Sequence, residues 1–212
     1  MYSTLKEVLQ TYRNYAHRLP MVIAYEDEVI PLTVNKAYHD TAQDVQDTTA
    51  TTVHEEIERC NQCQSTHKIA MQSRLTEAAI MIVLNPPALI SSVEKKVLQP
   101  QVDTMLQRMM KAIDVQMENC YITHMIKCES QKQLPGTMFL HCQQFLVKEI
   151  NHVNPRVIIV MGEMLPMRKI IKSMDAVQWF GIEHPITLIK NPELKKDAWK
   201  TLKLVRATLD EK

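Results

Sequence analysis

Glycine is almost missing from this chain: Gly136, Gly162 and Gly181 are all there are in 212 residues. Loops that cradle a phosphate, or bring backbone close to a ligand, are usually built on glycine because it has no Cβ to collide. There is no GxGxxG and no P-loop, which excludes nucleotide binding of those two kinds. Net charge is nearly absent too, at +1. The overall field does not favour a polyanionic partner, so any contact with nucleic acid has to use a local patch. No apolar run approaches the roughly 18 residues of a membrane span. The stretch MYSTLKEVLQTYRNYAHRL has no apolar centre followed by small residues, so it does not read as a signal peptide. A cytoplasmic, reducing location is expected, and there thiols bind metals more readily than they form disulfides.

What the chain does have is a pattern of cysteines. Cys60 and Cys63 form a C-x2-C pair, Cys128 ends the strand-like run YITHMIKC, and Cys142 follows after a short loop and about one helical turn. Two close ligands, one distant and one near the third, are how separate elements of a fold assemble a four-thiolate site. Thiolate sulfur suits zinc or an iron–sulfur cluster. The fifth cysteine, Cys120, opens an apolar strand and reads as a small buried hydrophobe.

Around that pattern the chain alternates. Leu5 to about Arg18 reads as a helix, Met21–Leu32 as extended, and 35–51 as a polar linker. Thr52 is placed to cap a helix carrying Val53 and Ile57. Strands are predicted at Ala78–Leu84, Tyr121–Ile126, Arg156–Met161 and Ile186–Ile189. Helices are predicted at Val102–Ile113, Met138–Asn151, Leu165–Ser173 and Leu194–Leu209. This order implies an α/β fold, a mostly parallel sheet covered on both faces. Binding groups in such sheets gather at the carboxyl ends of the strands. Those ends hold Asn85, His124–Cys128, Gly162 and the segment around His184.

The motifs in order are Cys60-Asn61-Gln62-Cys63, IMIVLNPPA, CYITHMIKC, HCQQFLVKEI, VNPRVIIVMGE, EHPI and KNPELKKDAWKTLKLVR. This series resembles the uracil-DNA glycosylase superfamily, most closely its iron–sulfur family 4, over roughly Thr52 to Arg206. That family opens with C-x2-C and continues with an apolar strand and GEAPG-type loop, a VYITNVVKC segment and a cysteine at the next helix. A PKVIVALG-type strand, an HPA loop and an NPALKxxxWxxLK tail follow. The resemblance implies a three-layer sandwich with a central parallel sheet, preceded here by an N-terminal helical extension. The residues themselves divide into 1–34 (helix and extended segment) and 35–51 (linker), and the resemblance implies a glycosylase-like domain at 52–212. It also implies a structural 4Fe–4S cluster on Cys60, Cys63, Cys128 and Cys142, with zinc as the alternative.

The pocket departs from the family. The loop glycine is Leu84 and the carboxylate position is Asn85, although an Asn occurs in the GINPG loop of the superfamily's mismatch-specific branch. Pro87 lies in the same loop. The family's GxPFVG segment, with its stacking Phe, corresponds to SSVEKKVLQPQ, which has no aromatic. The base-reading Asn is His124, whose imidazole cannot copy the two-sided contact of an amide. His184 alone is unchanged. Such erosion resembles the psi subunit of bacterial DNA polymerase III, which has this fold, no catalysis, and an N-terminal peptide for the clamp loader. The resemblance therefore implies a non-catalytic binding module in DNA replication or repair, with residues 1–20 meeting the clamp loader. An active glycosylase of altered specificity, using Asn85 and His184, is the alternative. Lys190 and Lys195, beside the last loop, are candidates for phosphate contact; a solvated face is the simpler reading.

Overall fold

The structure, a computed structural model, describes residues 48–63, 67–69, 73, 75–86, 90–129, 135–164, 167–174 and 176–211. The helix expected at Leu5–Arg18, the extended segment Met21–Leu32, most of the 35–51 linker and Pro87 lie outside these residues.

Four strands form the main sheet: β2 (Ile80–Leu84), β3 (Cys120–His124), β5 (Val157–Met161) and β6 (Gln178–Ile182). Their order is β3-β2-β5-β6 and every neighbouring pair is parallel. The short strands β1 (His67–Lys68) and β4 (Cys128–Glu129) pair separately as an antiparallel ribbon. The helices are α1 (Thr48–Arg59), α2 (Ser92–Lys111), α3 (Pro135–Val153), α4 (Arg168–Ser173), α5 (Pro185–Lys190) and α6 (Lys195–Asp210).

The sheet follows directly from the apolar runs. IMIVL and VIIVM are buried at every position, as inner strands covered on both faces must be. Each such side chain contributes about 1.5–3 kcal/mol on burial. Ile80, Ile82, Leu84, Ile122, Ile159 and Met161 form one core with residues of α2, α5 and α6. Met81, Val83, Tyr121, Ile158 and Val160 form the other with residues of α3 and α4. The period of two along each strand thus builds the expected three-layer α/β sandwich. Helix α1 joins α3 through Val53, Ile57 and Phe145, with a Lys148–Glu56 ion pair beside them.

Three expectations need correction. Ile186–Ile189 is not a strand but part of α5, and the last strand is Gln178–Ile182. The sequence ITLI is strand-like by composition, but Pro185 at the first helical turn and His184 at the N-cap start a helix. The Leu188 N–H then bonds the His184 carbonyl at 3.1 Å and the Asn191 N–H bonds the Thr187 carbonyl at 2.8 Å. Second, the helix expected from Val102 begins at Ser92 and runs through Pro100. Ser91 Oγ caps it by accepting the Glu94 N–H at 3.1 Å. Third, α1 already includes Thr48, so the linker stops short of 51 and Thr52 lies inside the helix.

Candidate functional site

The carboxyl ends of the four strands are level. Leu84 pairs with His124 and with Met161, and Met161 pairs with Ile182. The ladder continues one residue further into each loop. The Asn85 N–H bonds the Met161 carbonyl at 2.9 Å, Met125 N–H the Leu84 carbonyl at 2.9 Å, and Gly162 N–H the Ile182 carbonyl at 2.8 Å. Asn85, His124 and His184 therefore leave one edge of the sheet on backbone that is already hydrogen-bonded.

Gly162 is what lets these loops approach. Its φ is +116°, and a Cβ there would lie 2.1 Å from the Asn85 carbonyl oxygen. The Asn85 side chain turns across the edge, its Nδ2 donating to the Glu163 carbonyl at 3.0 Å. Its Oδ1 is an amide oxygen, able to hold a water but not to take its proton.

His184 is buried, with 3% exposure, and its Nδ1 accepts the Ile186 N–H at 3.2 Å. That bond assigns the ring proton to Nε2. Burial, and then the charge of Lys95, push its pKa down to about 4, so the ring is neutral. His124 is pushed down to about 3, by burial first and then by Lys127, His184 and Lys95. The positive charge of Lys95 disfavours protonation of both rings, and that of His184 disfavours protonation of His124. Lys95 belongs to the first turns of α2, the segment without an aromatic. The Glu183 carboxyl is raised above the usual range by burial and by Glu163. Lys190 pairs with Glu94, tying α5 to α2, so its charge is already engaged. Lys195 is exposed at the start of α6, and Pro87 is outside the described residues.

A second group forms on the α3 side. Cys63, Cys128 and Cys142 are buried, Cys60 is half-buried, and none is in a disulfide. Burial, followed by Cys142, Cys128 and Cys60, pushes the Cys63 thiol up to about 11, so the other three cysteines lie within electrostatic reach of Cys63. Met138 and Ile126 pack beside Cys63 and Cys128. Among the described residues, no three His, Cys, Asp or Glu side chains converge as ligands of a single metal ion. Cys120 stands at the other end of β3, its thiol donating to the Gln116 carbonyl at 3.6 Å. Burial, then Glu118, raises that thiol to about 12, as expected of an inert buried cysteine.

The family model for the uracil DNA glycosylase superfamily matches residues 72–203. The chain belongs to this superfamily. The matched span contains Asn85, His124, His184, Cys128 and Cys142 but begins after Cys60 and Cys63. The superfamily domain therefore supplies half of the thiol group, and the segment preceding it supplies the rest. No helix among the described residues is long and apolar enough to cross a membrane.

Reading the sequence missed a polar network between the two groups of this superfamily domain. Lys127 and Glu149 are 4% and 1% exposed and form an ion pair at 2.5 Å. Glu149 also accepts from the Tyr121 hydroxyl at 3.2 Å and the Thr123 hydroxyl at 2.9 Å. Lys127 Nζ further donates to Thr123 Oγ1 at 2.6 Å and to the His124 carbonyl at 2.7 Å, while its backbone N–H reaches Cys142 Sγ at 3.4 Å. One residue thus touches both the His124 edge and the thiols. A lysine before a cysteine is an ordinary pair of letters, and only the fold brings Glu149 to it.

Proposed function

We propose that this chain is a DNA-binding protein of replication or repair, cytoplasmic, with a 4Fe–4S cluster on Cys60, Cys63, Cys128 and Cys142 and little or no uracil excision. The observation that carries the non-catalytic reading is the chemistry of the sheet edge. Residue 85 is an amide and no base. Lys95 brings a cation to the histidines from a segment in which the resemblance calls for an aromatic. An extruded neutral base needs stacking and a matched hydrogen-bond edge, and this edge is poorly suited to either. DNA as partner follows from the superfamily. Residues 1–20 would engage a replication complex such as the clamp loader, in the manner of psi.

Four neighbouring thiols suit a soft metal group. Zinc requires all four sulfurs about 2.3 Å from a single point. The cysteines offer the soft donors that either group takes, and it is the resemblance to the iron–sulfur family that favours the cluster over zinc. When bound, the cluster would tie α1 and the Cys60–Cys63 turn to the domain.

A second reading has one observation in its favour. A neutral His184 with its proton on Nε2 is the form that donates to charge developing on a leaving base. Asn85 Oδ1 would hold the water.

The test uses anaerobically purified full-length protein, assayed for iron, sulfide, DNA binding and excision of uracil from single-stranded DNA at enzyme excess. Iron and sulfide near four per chain are expected, lost in Cys142→Ala and kept in Cys120→Ala, with DNA binding but no excision. Excision abolished by His184→Ala would overturn the non-catalytic reading. A colourless, iron-free protein would overturn the cluster. Co-purification with clamp-loader subunits, lost on deleting residues 1–20, is the outcome expected of a psi-like role.

A further inference from the structure

One cation approaches the thiol group from outside it. Lys68 lies on β1 directly opposite Cys128 of β4. Its Nζ donates to Cys128 Sγ at 3.3 Å and to the Cys60 carbonyl. No carboxylate pairs with Lys68 among the described residues. A cysteine that ligates a cluster does so as a thiolate, a stronger acceptor for an ammonium than a neutral thiol.

The contact also spans the two halves of the group. Cys60 belongs to the segment before the superfamily match and Cys128 to the domain within it. Lys68 holds the backbone of the first and the sulfur of the second. The Lys127 N–H on Cys142 Sγ, at 3.4 Å, gives a second sulfur a donor, but an uncharged one.

We propose that Lys68 is an outer-sphere positioning residue of the thiolate site: its ammonium stabilises anionic sulfur at Cys128 and fixes the Cys60 turn against it. This rests on the reading that the four cysteines hold an iron–sulfur cluster. Donors to ligand sulfur draw off electron density and favour the more negative, reduced form. A positive charge in the same place acts in the same direction.

The experiment compares wild type with Lys68→Met, Lys68→Gln and Lys68→Arg, all full-length and anaerobic. Iron and sulfide content, the rate of iron release to a ferrous chelator, and the midpoint potential by EPR-monitored titration are measured. Far-UV circular dichroism checks folding of each variant. Both neutral variants are expected to take up iron, to lose it about 10–100-fold faster than wild type, and to have a more negative potential. Lys68→Arg is expected to restore both. Release rates and potentials equal to wild type in iron-loaded Lys68→Met or Lys68→Gln would overturn the proposal alone. Wild type that binds no iron overturns the cluster reading and this one together. If neither neutral variant folds but Lys68→Arg does and matches wild type, the charge is required for assembly, as proposed; an iron-loaded Lys68→Arg that releases iron like a neutral variant would contradict it.

Discussion

Removing one member of the Lys127–Glu149 pair should be among the most damaging single changes available in this domain. All three ammonium hydrogens of Lys127 have an acceptor, on Glu149, Thr123 and the His124 carbonyl. Lys127→Met leaves the Glu149 carboxylate 1% exposed, with the Tyr121 and Thr123 hydroxyls as its remaining partners among the described residues. An uncompensated charge at such a site costs about 3–5 kcal/mol. For a domain of this size that lowers Tm by roughly 6–20 °C. Glu149→Leu strands the ammonium instead and should cost a similar amount. The double variant removes both charges and leaves only neutral hydroxyls without their acceptor, at about 1–3 kcal/mol each. It should therefore lose much less than the sum of the single changes. Urea unfolding of the four proteins in one anaerobic buffer gives the cycle. Strictly additive losses, or single losses under about 1 kcal/mol, would refute the argument that the pair is held by mutual compensation in a dry site.

Two further outcomes follow from the sheet edge. Gly162→Ala puts a Cβ 2.1 Å from the Asn85 carbonyl oxygen at a φ of +116°; the backbone strain alone costs about 1–3 kcal/mol. The Asn85 loop must also shift, so a lower denaturation midpoint and weaker DNA binding are expected together, and a variant with wild-type stability would contradict the contact. The second outcome concerns pH. His184 and His124 have folded pKa values of about 4 and about 3, below the roughly 6.5 of an unfolded histidine. Stability from keeping them neutral is complete above about pH 6.5 and is lost as the pH falls toward the folded values. Urea midpoints should drop between pH 7 and pH 5, and His184→Asn, which keeps an N-cap side chain, should flatten the drop. An unchanged pH slope in that variant would show that His184 is not buried neutral.

How far the letters reached depends on how local each feature is. IMIVL and VIIVM name their strands because a doubly covered strand has only apolar residues to offer. QWFGI was missed because an edge strand keeps exposed positions, here Gln178 and Gly181, and so breaks the run. The start of α2 is legible in principle, since Ser91 and Glu94 have capping spacing, but Pro100 reads locally as a helix breaker. Among the site residues, Asn85, His124 and His184 were found because strand ends can be located from the runs before them. Lys68 follows the cysteine pair and reads from sequence only as a solvent-exposed residue, while Lys95 and Glu149 carry no signal at all, because each acts across a pairing or crossover that no short window contains.

The strand order carries a consequence for how the chain is made. β2 emerges first of the four main strands yet lies inside the sheet, between β3 and β5. Its partner β5 is synthesised only after α2, β3 and α3 are complete. Closing that pairing joins distant stretches of chain, a slow kind of contact to form. Until it closes, IMIVL has an open edge of unpaired backbone, the profile of a segment that joins other chains. The time spent translating from Cys120 to Met161 is therefore when this sheet is most exposed to misassembly.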